Sequence, residues 1–367
     1  MKKLFYLPLE PYIERYTYFM SCIDGWAEQN FKANNIEFVR VEGEPSSGTI
    51  RNGVVLDAIG RNKFALSQTL NLIRLIDDGQ VNDGDVIYVE DFWHPGIESL
   101  FYIRALCNID FKIGCFIHAQ TYDEYDFCAH ESISSWMRPI ENGYAEGYDY
   151  IFTCSEILRK RLVEHGFNNR KVHKYGLPYN SKVLLSQLKT KYDLEPATIV
   201  KENFVLFSSR FDSEKNPHFF LDLVERMPDI NFKLVNPRSG RVISNDESVV
   251  ERLKKVLSNL EIVDTSDKKS YYELLAKAKV QFNCALQDWV SWTLLEAITF
   301  RCNPVYPNWR DFPFEIPPDY IYDDKNLDSA ETVIRNMLKL PFKTVLDNTI
   351  RYHDHSWKSW LHTMELL

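Results

Sequence analysis

The stretch from Asn203 to Asn236, NFVLFSSRFDSEKNPHFFLDLVERMPDINFKLVN, decides the fold. It opens with an unbroken apolar run, Phe204 to Phe207, that stops at two serines, as a strand buried on both faces does. HFFLDLVERM follows with helical spacing, and Pro217 stands at a helix start, where a missing N–H costs nothing. INFKLVN is a second strand-like run. Strand, helix and strand in succession predict a parallel sheet covered by helices.

The same alternation extends in both directions. Downstream, ESVVERLKKVLSNL (247–260) reads as helix, LEIVD (260–264) as strand and SYYELLAKA (270–278) as helix. VQFNCAL (280–286), SWTLLEAITF (291–300) and NPVYP (303–307) then read as strand, helix and strand. Upstream, strands are predicted in KKLFYLPL (2–9), NIEFVRVEG (35–43), DVIYVEDF (85–92), FKIGCFIHAQ (111–120) and YDYIFTCS (148–155). Helices are predicted in KFALSQTLNLIRLIDDG (63–79) and PGIESLFYIRAL (95–106). The pattern breaks after Gly176-Leu177-Pro178, where a polar, helix-forming stretch carries no strand. The expected division is therefore 1–178, a linker at 179–200, a second domain at 201–345 and a closing helix at 346–367. A chain of 367 residues has room for two such cores.

Composition narrows the function classes. With 45% hydrophobic and 26% charged residues the chain is that of a globular protein, not a disordered one. No apolar run approaches the roughly 18 residues of a membrane span, and Glu10 and Glu14 interrupt any export signal. Seven scattered cysteines without a C-x-x-C pair argue against zinc ribbons and a disulfide framework and for a reducing cytoplasm. The net charge is −9, divided as −7 over residues 1–178 and −2 over 179–367, so no strongly basic footprint marks the whole chain.

Two segments carry chemistry. In SSRFDSEKNP (208–217), Arg210 and Lys215 flank a helix start, where side-chain cations and the helix dipole attract the same anion. Taken alone, the pair also reads as a solvated loop. In LQDWVSWTLLEAITF (286–300), Asp288 precedes Glu296 by eight residues, and Glu296 lies among Leu294, Leu295, Ala297 and Ile298. A carboxylate buried there needs a hydrogen-bonding partner, and vicinal sugar hydroxyls supply one; a solvent-facing helix position is the alternative.

Together these segments resemble the C-terminal domain of the retaining GT-B glycosyltransferases with an E-x7-E motif, the family 4-like group. The resemblance continues through YDYIFTCSEILRKRLVEHGFNNRKVHKYGLP (148–178), with Ser155 after the strand and Gly176 before the linker, and through FKIGCFIHAQ, whose His118 matches a histidine that lines the cleft near the donor sugar. It implies two facing Rossmann-like, doubly wound α/β domains with a cleft between them. The N-terminal domain would take the acceptor, and residues 201–345 would bind a nucleoside-diphosphate sugar, UDP-sugar being the expected donor. The closing helix would pack back toward the N-terminal domain. Arg210 and Lys215 would hold the diphosphate and stabilise the leaving group, Asp288 and Ser291 would face the donor sugar, and Glu296 would hold the ribose. No metal would be required; the pair Asp323-Asp324 reads as a turn.

The chain departs from that pattern in four places. Aspartate replaces the usual first glutamate, Trp289-Val290-Ser291-Trp292 replaces a glycine-rich turn, and Cys302 replaces a glycine. PLEPYIERYTYFM (8–20) stands where a Gly-Gly loop is usual.

On the acceptor side, Glu90, Asp91 and His94 end a strand and precede a helix. They read as groups that orient or deprotonate an acceptor hydroxyl, or, for Asp91, as a helix cap or a partner of a lysine. TYDEYDF (121–127), with Asp123, Glu124 and Asp126, reads as a solvated acidic loop, and Cys154 and Cys284 as small core residues in strands. The blocks PYIERYTYFM, VVLDAIGR and VEDFWHPGIESL resemble bacteriophage-encoded glycosyltransferases. That resemblance implies double-stranded DNA with hydroxymethylated pyrimidines as acceptor, and Arg159, Lys160, Arg161, Arg170, Lys171 and Lys174 form a candidate phosphate-contacting face. A saccharide or lipid-linked acceptor is the rival expectation. A nucleotide-sugar epimerase and a non-catalytic nucleotide-sugar binding protein are the others.

Overall fold

A computed structural model describes residues 1–9, 30–45, 58–237, 240–255 and 258–367. Most of PLEPYIERYTYFM and the start of VVLDAIGR lie outside the described residues. The chain divides into two compact units, residues 1–183 with 353–367 and residues 184–352.

The first unit is built on six parallel strands: β1 (Lys2–Leu7), β2 (Ile36–Arg40), β3 (Val86–Val89), β4 (Lys112–Phe116), β5 (Tyr150–Thr153) and β6 (Val172–Lys174), in the order β2-β1-β3-β4-β5-β6. Register is set by pairs such as Phe5 with Ile87 and Ile87 with Ile113. All four residues of β3 are buried, as both faces of such a sheet are covered. The described helices that connect these strands are α1 (Ala58–Asp77), α2 (Ile97–Cys107), α3 (Glu131–Gly147) and α4 (Glu156–Glu164). Helices α3 and α4 are not named in the sequence-based expectation. Helix α3 carries Pro139 inside it, on its exposed side; proline removes one amide donor and frees the Ser135 carbonyl, and Ser135 is exposed as well.

The expected linker is largely helix α5 (Ser181–Tyr192), followed by a 3-10 turn at Pro196–Thr198. The second unit then repeats the design with β7 (Glu202–Phe207), α6 (Pro217–Arg226), β8 (Asn231–Asn236), α7 (Glu247–Leu253), β9 (Leu260–Asp264), α8 (Lys268–Lys277), β10 (Ala278–Phe282), α9 (Trp292–Thr299), β11 (Asn303–Pro307), α10 (Phe312–Glu315), β12 (Ile321–Tyr322) and α11 (Leu327–Lys339). Its sheet is parallel in the order β12-β11-β10-β7-β8-β9. Helix α7 ends at Leu253 rather than at 260, since a strand that starts at Leu260 leaves no room for a helix running to the same residue. Phe207 stacks on Phe220 at 4.4 Å between ring centroids, and Phe219 and Phe282 both stack on Tyr322. Cys154 and Cys284 are buried, but each lies just past its strand. Asp323-Asp324 falls where β12 gives way to a turn, with Lys325 in the left-handed region.

Lys201 joins two helices of this unit. Its ammonium donates to the carbonyl of Ala276 at the end of α8 and to that of Phe300 at the end of α9, each at 2.6 Å. Helix C-termini carry unpaired carbonyls and partial negative charge, so one cation satisfies both.

The chain closes with α12 (Asp347–Asp354) and α13 (Ser356–Thr363). Trp357 and Trp360 of α13 lie over one face of the first unit's sheet, against Tyr6, Tyr88, Phe116 and Phe152. His353 accepts a hydrogen bond from the Leu177 N–H at 2.8 Å, and a Cβ at Gly176 would come within 2.6 Å of that imidazole, which explains the glycine there. Among the described residues no helix is long and apolar enough to cross a membrane.

Trp360 is fully buried among four aromatic rings. Trp360→Ala is expected to cost about 3–5 kcal/mol in urea unfolding of the first unit, as large aromatic truncations do, while Tyr102→Ala on the exposed side of α2 stays within about 0.5 kcal/mol of wild type. Equal losses for the two variants would contradict this packing role.

Candidate donor and acceptor sites

In the second unit the chain runs from β7 outward to β8 and β9, then returns to place β10 on the other side of β7. The loops that leave the carboxyl ends of β7 and β10 therefore diverge, and open α/β sheets bind ligands at such a switch point. Arg210 and Lys215 lie on the first loop, Asp288 and Ser291 on the second. The loops touch through the Leu286 N–H, which donates to the Glu214 carbonyl at 2.9 Å, and through Gln281, which donates to the Ser208 hydroxyl at 3.0 Å.

Lys215 and Asp288, 73 residues apart in sequence, meet at 2.6 Å. Burial would raise the Asp288 carboxyl, but the Lys215 ammonium and hydrogen bonds from Asn283 and Ser291 hold it below the usual aspartate range. Arg210 is engaged as well, with Glu214 at 2.7 Å and Asp212 at 3.7 Å. Each cation is thus held by carboxylates. An arriving anion would exchange places with them and would also find the amides at the start of α6, whose cap residue Asn216 makes no side-chain cap bond.

Ser291 precedes α9 and shares a hydroxyl chain with Thr293 at 2.6 Å and Tyr306 at 3.1 Å. Glu296 lies one turn into α9 and is 5% exposed, so the solvent-facing alternative does not hold. Its Oε2 accepts from the Tyr271 hydroxyl of α8 at 2.6 Å. Burial raises the Glu296 carboxyl, while nearby Lys268 and the Tyr271 hydrogen bond oppose that rise. Where a glycine-rich turn was lacking, Trp289 is buried under the Arg310 guanidinium, 3.9 Å from its ring centroid. Arg310 also donates to the Gln287 carbonyl, and the Trp309 indole to the Leu286 carbonyl at 3.0 Å. The loop after β11 thereby holds the Asp288 loop in place.

In the first unit the corresponding switch point lies between β1 and β3. Glu90 stands there and is 1% exposed. It is turned inward: Oε2 accepts from the Leu9 N–H at 2.6 Å, Oε1 has no partner among the described residues, and the Glu90 carbonyl accepts from His118 Nε2 at 3.3 Å. Burial pushes the Glu90 carboxyl up to about 8, with a small contribution from Asp91 in the same direction and an opposing one from the Leu9 bond. His118 is half-buried and its imidazole is lowered, chiefly by burial.

Asp91 pairs with neither of its expected partners. It accepts from Gln120 at 2.7 Å and from the Trp93 N–H at 3.2 Å, and lies 3.8 Å from Arg61. Gln120 holds a left-handed backbone, φ 51°, a strained conformation for a side chain of this kind. His94 is buried against Thr69 of α1, with Nε2 3.2 Å from that hydroxyl, so the imidazole proposed for the acceptor side is turned away from solvent. Burial, with help from Arg61, lowers it to about 3.

The segment 121–127 is only partly solvated: Glu124 is exposed and ion-paired with Arg161, while residues 121–123 are buried. Asp123 is fully buried and Tyr122 packs into the core; the turn is clamped by α3, where Glu141 accepts from Thr121, Arg138 donates to the Thr121 carbonyl at 2.8 Å and Asn142 accepts from Tyr122 at 2.9 Å. Among the described residues no group of three or more His, Cys, Asp or Glu side chains is arranged to hold a metal ion.

Sequence reasoning did not reach Tyr271, Arg310, Gln120 or Arg61. None of the four left a local signal: Arg61 stands among Gly60, Asn62 and Lys63, and Arg310 between Trp309 and Asp311.

No protein-family profile matches the sequence. Among solved structures, the chain is similar to sucrose-phosphate synthase from Thermosynechococcus elongatus, with TM-score 0.66 and 12% identity over 100% of this chain and 98% of that one. It is similar to a UDP-forming trehalose-phosphate synthase from Burkholderia xenovorans, with TM-score 0.65 and 12% identity over 100% and 99%. It is also similar to the Anabaena protein HepE, solved with UDP and glucose, with TM-score 0.60 and 11% identity over 99% of each chain. At these identities the likeness establishes the fold: two doubly wound parallel α/β units of the GT-B class.

Glu90 yields a pH test. Its carboxyl is raised in the folded state, so its contribution to stability is full below about 4.5 and is lost as pH climbs through about 8. Over that span the loss reaches at most roughly 5 kcal/mol. Glu90→Gln keeps an acceptor for the Leu9 N–H without the charge, so its melting temperature is expected to match wild type near pH 5 and exceed it increasingly toward pH 9. A gap that stays constant across pH would remove Glu90 from this role.

Proposed function

We propose that this chain is a glycosyltransferase that moves a sugar from a nucleoside-diphosphate sugar, with UDP-sugar the first donor to test, to an acceptor hydroxyl. The observation that carries the reading is the meeting of Lys215 and Asp288 at the β7–β10 switch point, on the loop that leads into the helix bearing the buried acid Glu296. The donor diphosphate takes Lys215 and Arg210 from their carboxylates, which frees Asp288 to accept from sugar hydroxyls. Glu296 accepts from the ribose. As the sugar–phosphate bond breaks, negative charge grows on the diphosphate, and cations already in place stabilise it.

The described acids on the acceptor side support retention. Glu90 is 1% exposed and turned inward to the Leu9 N–H, and Asp91 is engaged by Gln120 and lies near Arg61, so neither is presented to an acceptor hydroxyl. The departing phosphate then takes the acceptor proton. His118, beside Glu90, is the imidazole assigned to the donor sugar.

A saccharide hydroxyl is the acceptor we favour over duplex DNA. Of the six cations between 159 and 174, Arg159 is bound to Glu156 and Asn169, Arg161 to Glu124, and Lys171 to the carbonyls of Ala145 and Glu146. DNA phosphates would have to displace these partners. The structural neighbours named above are, in two of three cases, synthases of saccharide phosphates.

The test is transfer by the full chain from a panel of nucleotide sugars to free sugars, sugar phosphates and hydroxymethylcytosine-containing duplex, with the anomer assigned by NMR. Lys215→Ala is expected to remain folded and to lose about 10²–10³ in kcat, and Glu296→Ala to raise KM for the donor. Unchanged kcat in Lys215→Ala would take that ammonium out of the reaction. Donor interconversion without transfer would indicate an epimerase, and product formed only on DNA would reverse the choice of acceptor.

A further inference from the structure

Glu296 does not meet a ligand as an unencumbered carboxylate. An ionised carboxylate facing a vicinal diol ordinarily accepts one hydroxyl on each oxygen. Here Oε2 is taken by the Tyr271 hydroxyl at 2.6 Å, a short charge-assisted bond, while no described residue donates to Oε1. The residue is 5% exposed and the phenol stands against Oε2, so Oε1 is the oxygen left to a ligand.

Tyr271 itself is fixed. It lies in the first turn of α8, which Asp267 caps by accepting from the Ser270 N–H at 2.9 Å. Its ring packs on Tyr272 at 5.4 Å, and the Lys268 ammonium lies 5.9 Å from its centroid. At the far ends of α8 and α9, Lys201 binds both helices. The phenol and the carboxylate are therefore borne by two helices tied at their opposite termini.

We infer that Glu296 grips the donor ribose through a single oxygen, with Tyr271 as the positioning residue that occupies the other. This inference rests on the donor reading of the second unit. Its consequence is a relaxed choice of pentose: the site reads one of the two vicinal hydroxyls and tolerates loss of the other, so a ribonucleoside diphosphate and one of its deoxy forms bind alike. Tyr271→Phe releases Oε2 and allows the carboxylate to grip both hydroxyls.

Calorimetric titration of the full chain with the diphosphates of uridine, adenosine and guanosine, and with the 2′-deoxy and 3′-deoxy forms of whichever binds, tests this. In the wild type one deoxy form is expected within about threefold of the parent and the other about tenfold or more weaker, the loss of one hydrogen bond to a charged group. In Tyr271→Phe both deoxy forms are expected to fall about tenfold below the parent. Equal penalties for the two deoxy forms in the wild type overturn the single-oxygen grip, and that measurement needs no variant to fold. An unchanged pattern in a folded Tyr271→Phe protein overturns the role of the phenol. If no nucleoside diphosphate binds, the donor reading fails, and this inference with it.

Discussion

The parallel pairing of Ala278–Phe282 with Glu202–Phe207 is the constraint on which the donor-side site depends. Because the chain leaves β7 in one direction and returns beside it from the other, two loops far apart in sequence emerge side by side at the carboxyl ends of their strands. One loop brings the cations, the other the acid. Their contact at Lys215 and Asp288 is strong because it is partly shielded from water, where a charge pair on an open surface would count for little. The pair holds both side chains in position, and each is available to a ligand only by exchange with the other.

Burial acts oppositely on the acids of the two units. Asp288 is kept ionised by an adjacent ammonium and two further donors. Glu90 has one amide donor among the described residues and Asp91 as a neighbour, and burial drives it toward its neutral form. Glu296 falls between them, with a phenol and a more distant cation that only partly offset desolvation. The distinction is one of partners, since all three are shielded from water.

Strands and most helices were legible because parallel sheets demand continuous apolar runs, and Phe204–Phe207 or Val86–Val89 cannot be read otherwise. Taken alone, Arg210 and Lys215 also read as a solvated loop and Glu296 as a solvent-facing helix position; the resemblance to the E-x7-E group is what singled out these residues and Asp288. Partners were not legible. Nothing in SYYELLAKA singles out Tyr271 over Tyr272, since which phenol reaches Glu296 depends on how α8 is rotated against α9. His94 misled for the same reason: a histidine before a helix reads as exposed, and packing against Thr69 turned it inward. Helix α3 carries Pro139 in its interior, a residue that ordinarily kinks or ends a helix. The acidic letters of 121–127 suggested solvation, yet Asp123 is fully buried and the neighbouring turn is clamped by Glu141 and Arg138.

The first unit is discontinuous along the chain, since residues 353–367 complete what residues 1–183 begin. During synthesis the whole of 184–352 leaves the ribosome before Trp357 and Trp360 do. At roughly 5–20 residues per second that interval lasts on the order of ten to thirty seconds. Throughout it Tyr6, Tyr88, Phe116 and Phe152 lack the indoles that cover them in the finished protein. The later-made unit can reach its native state while the aromatic surface of the earlier one is still uncovered.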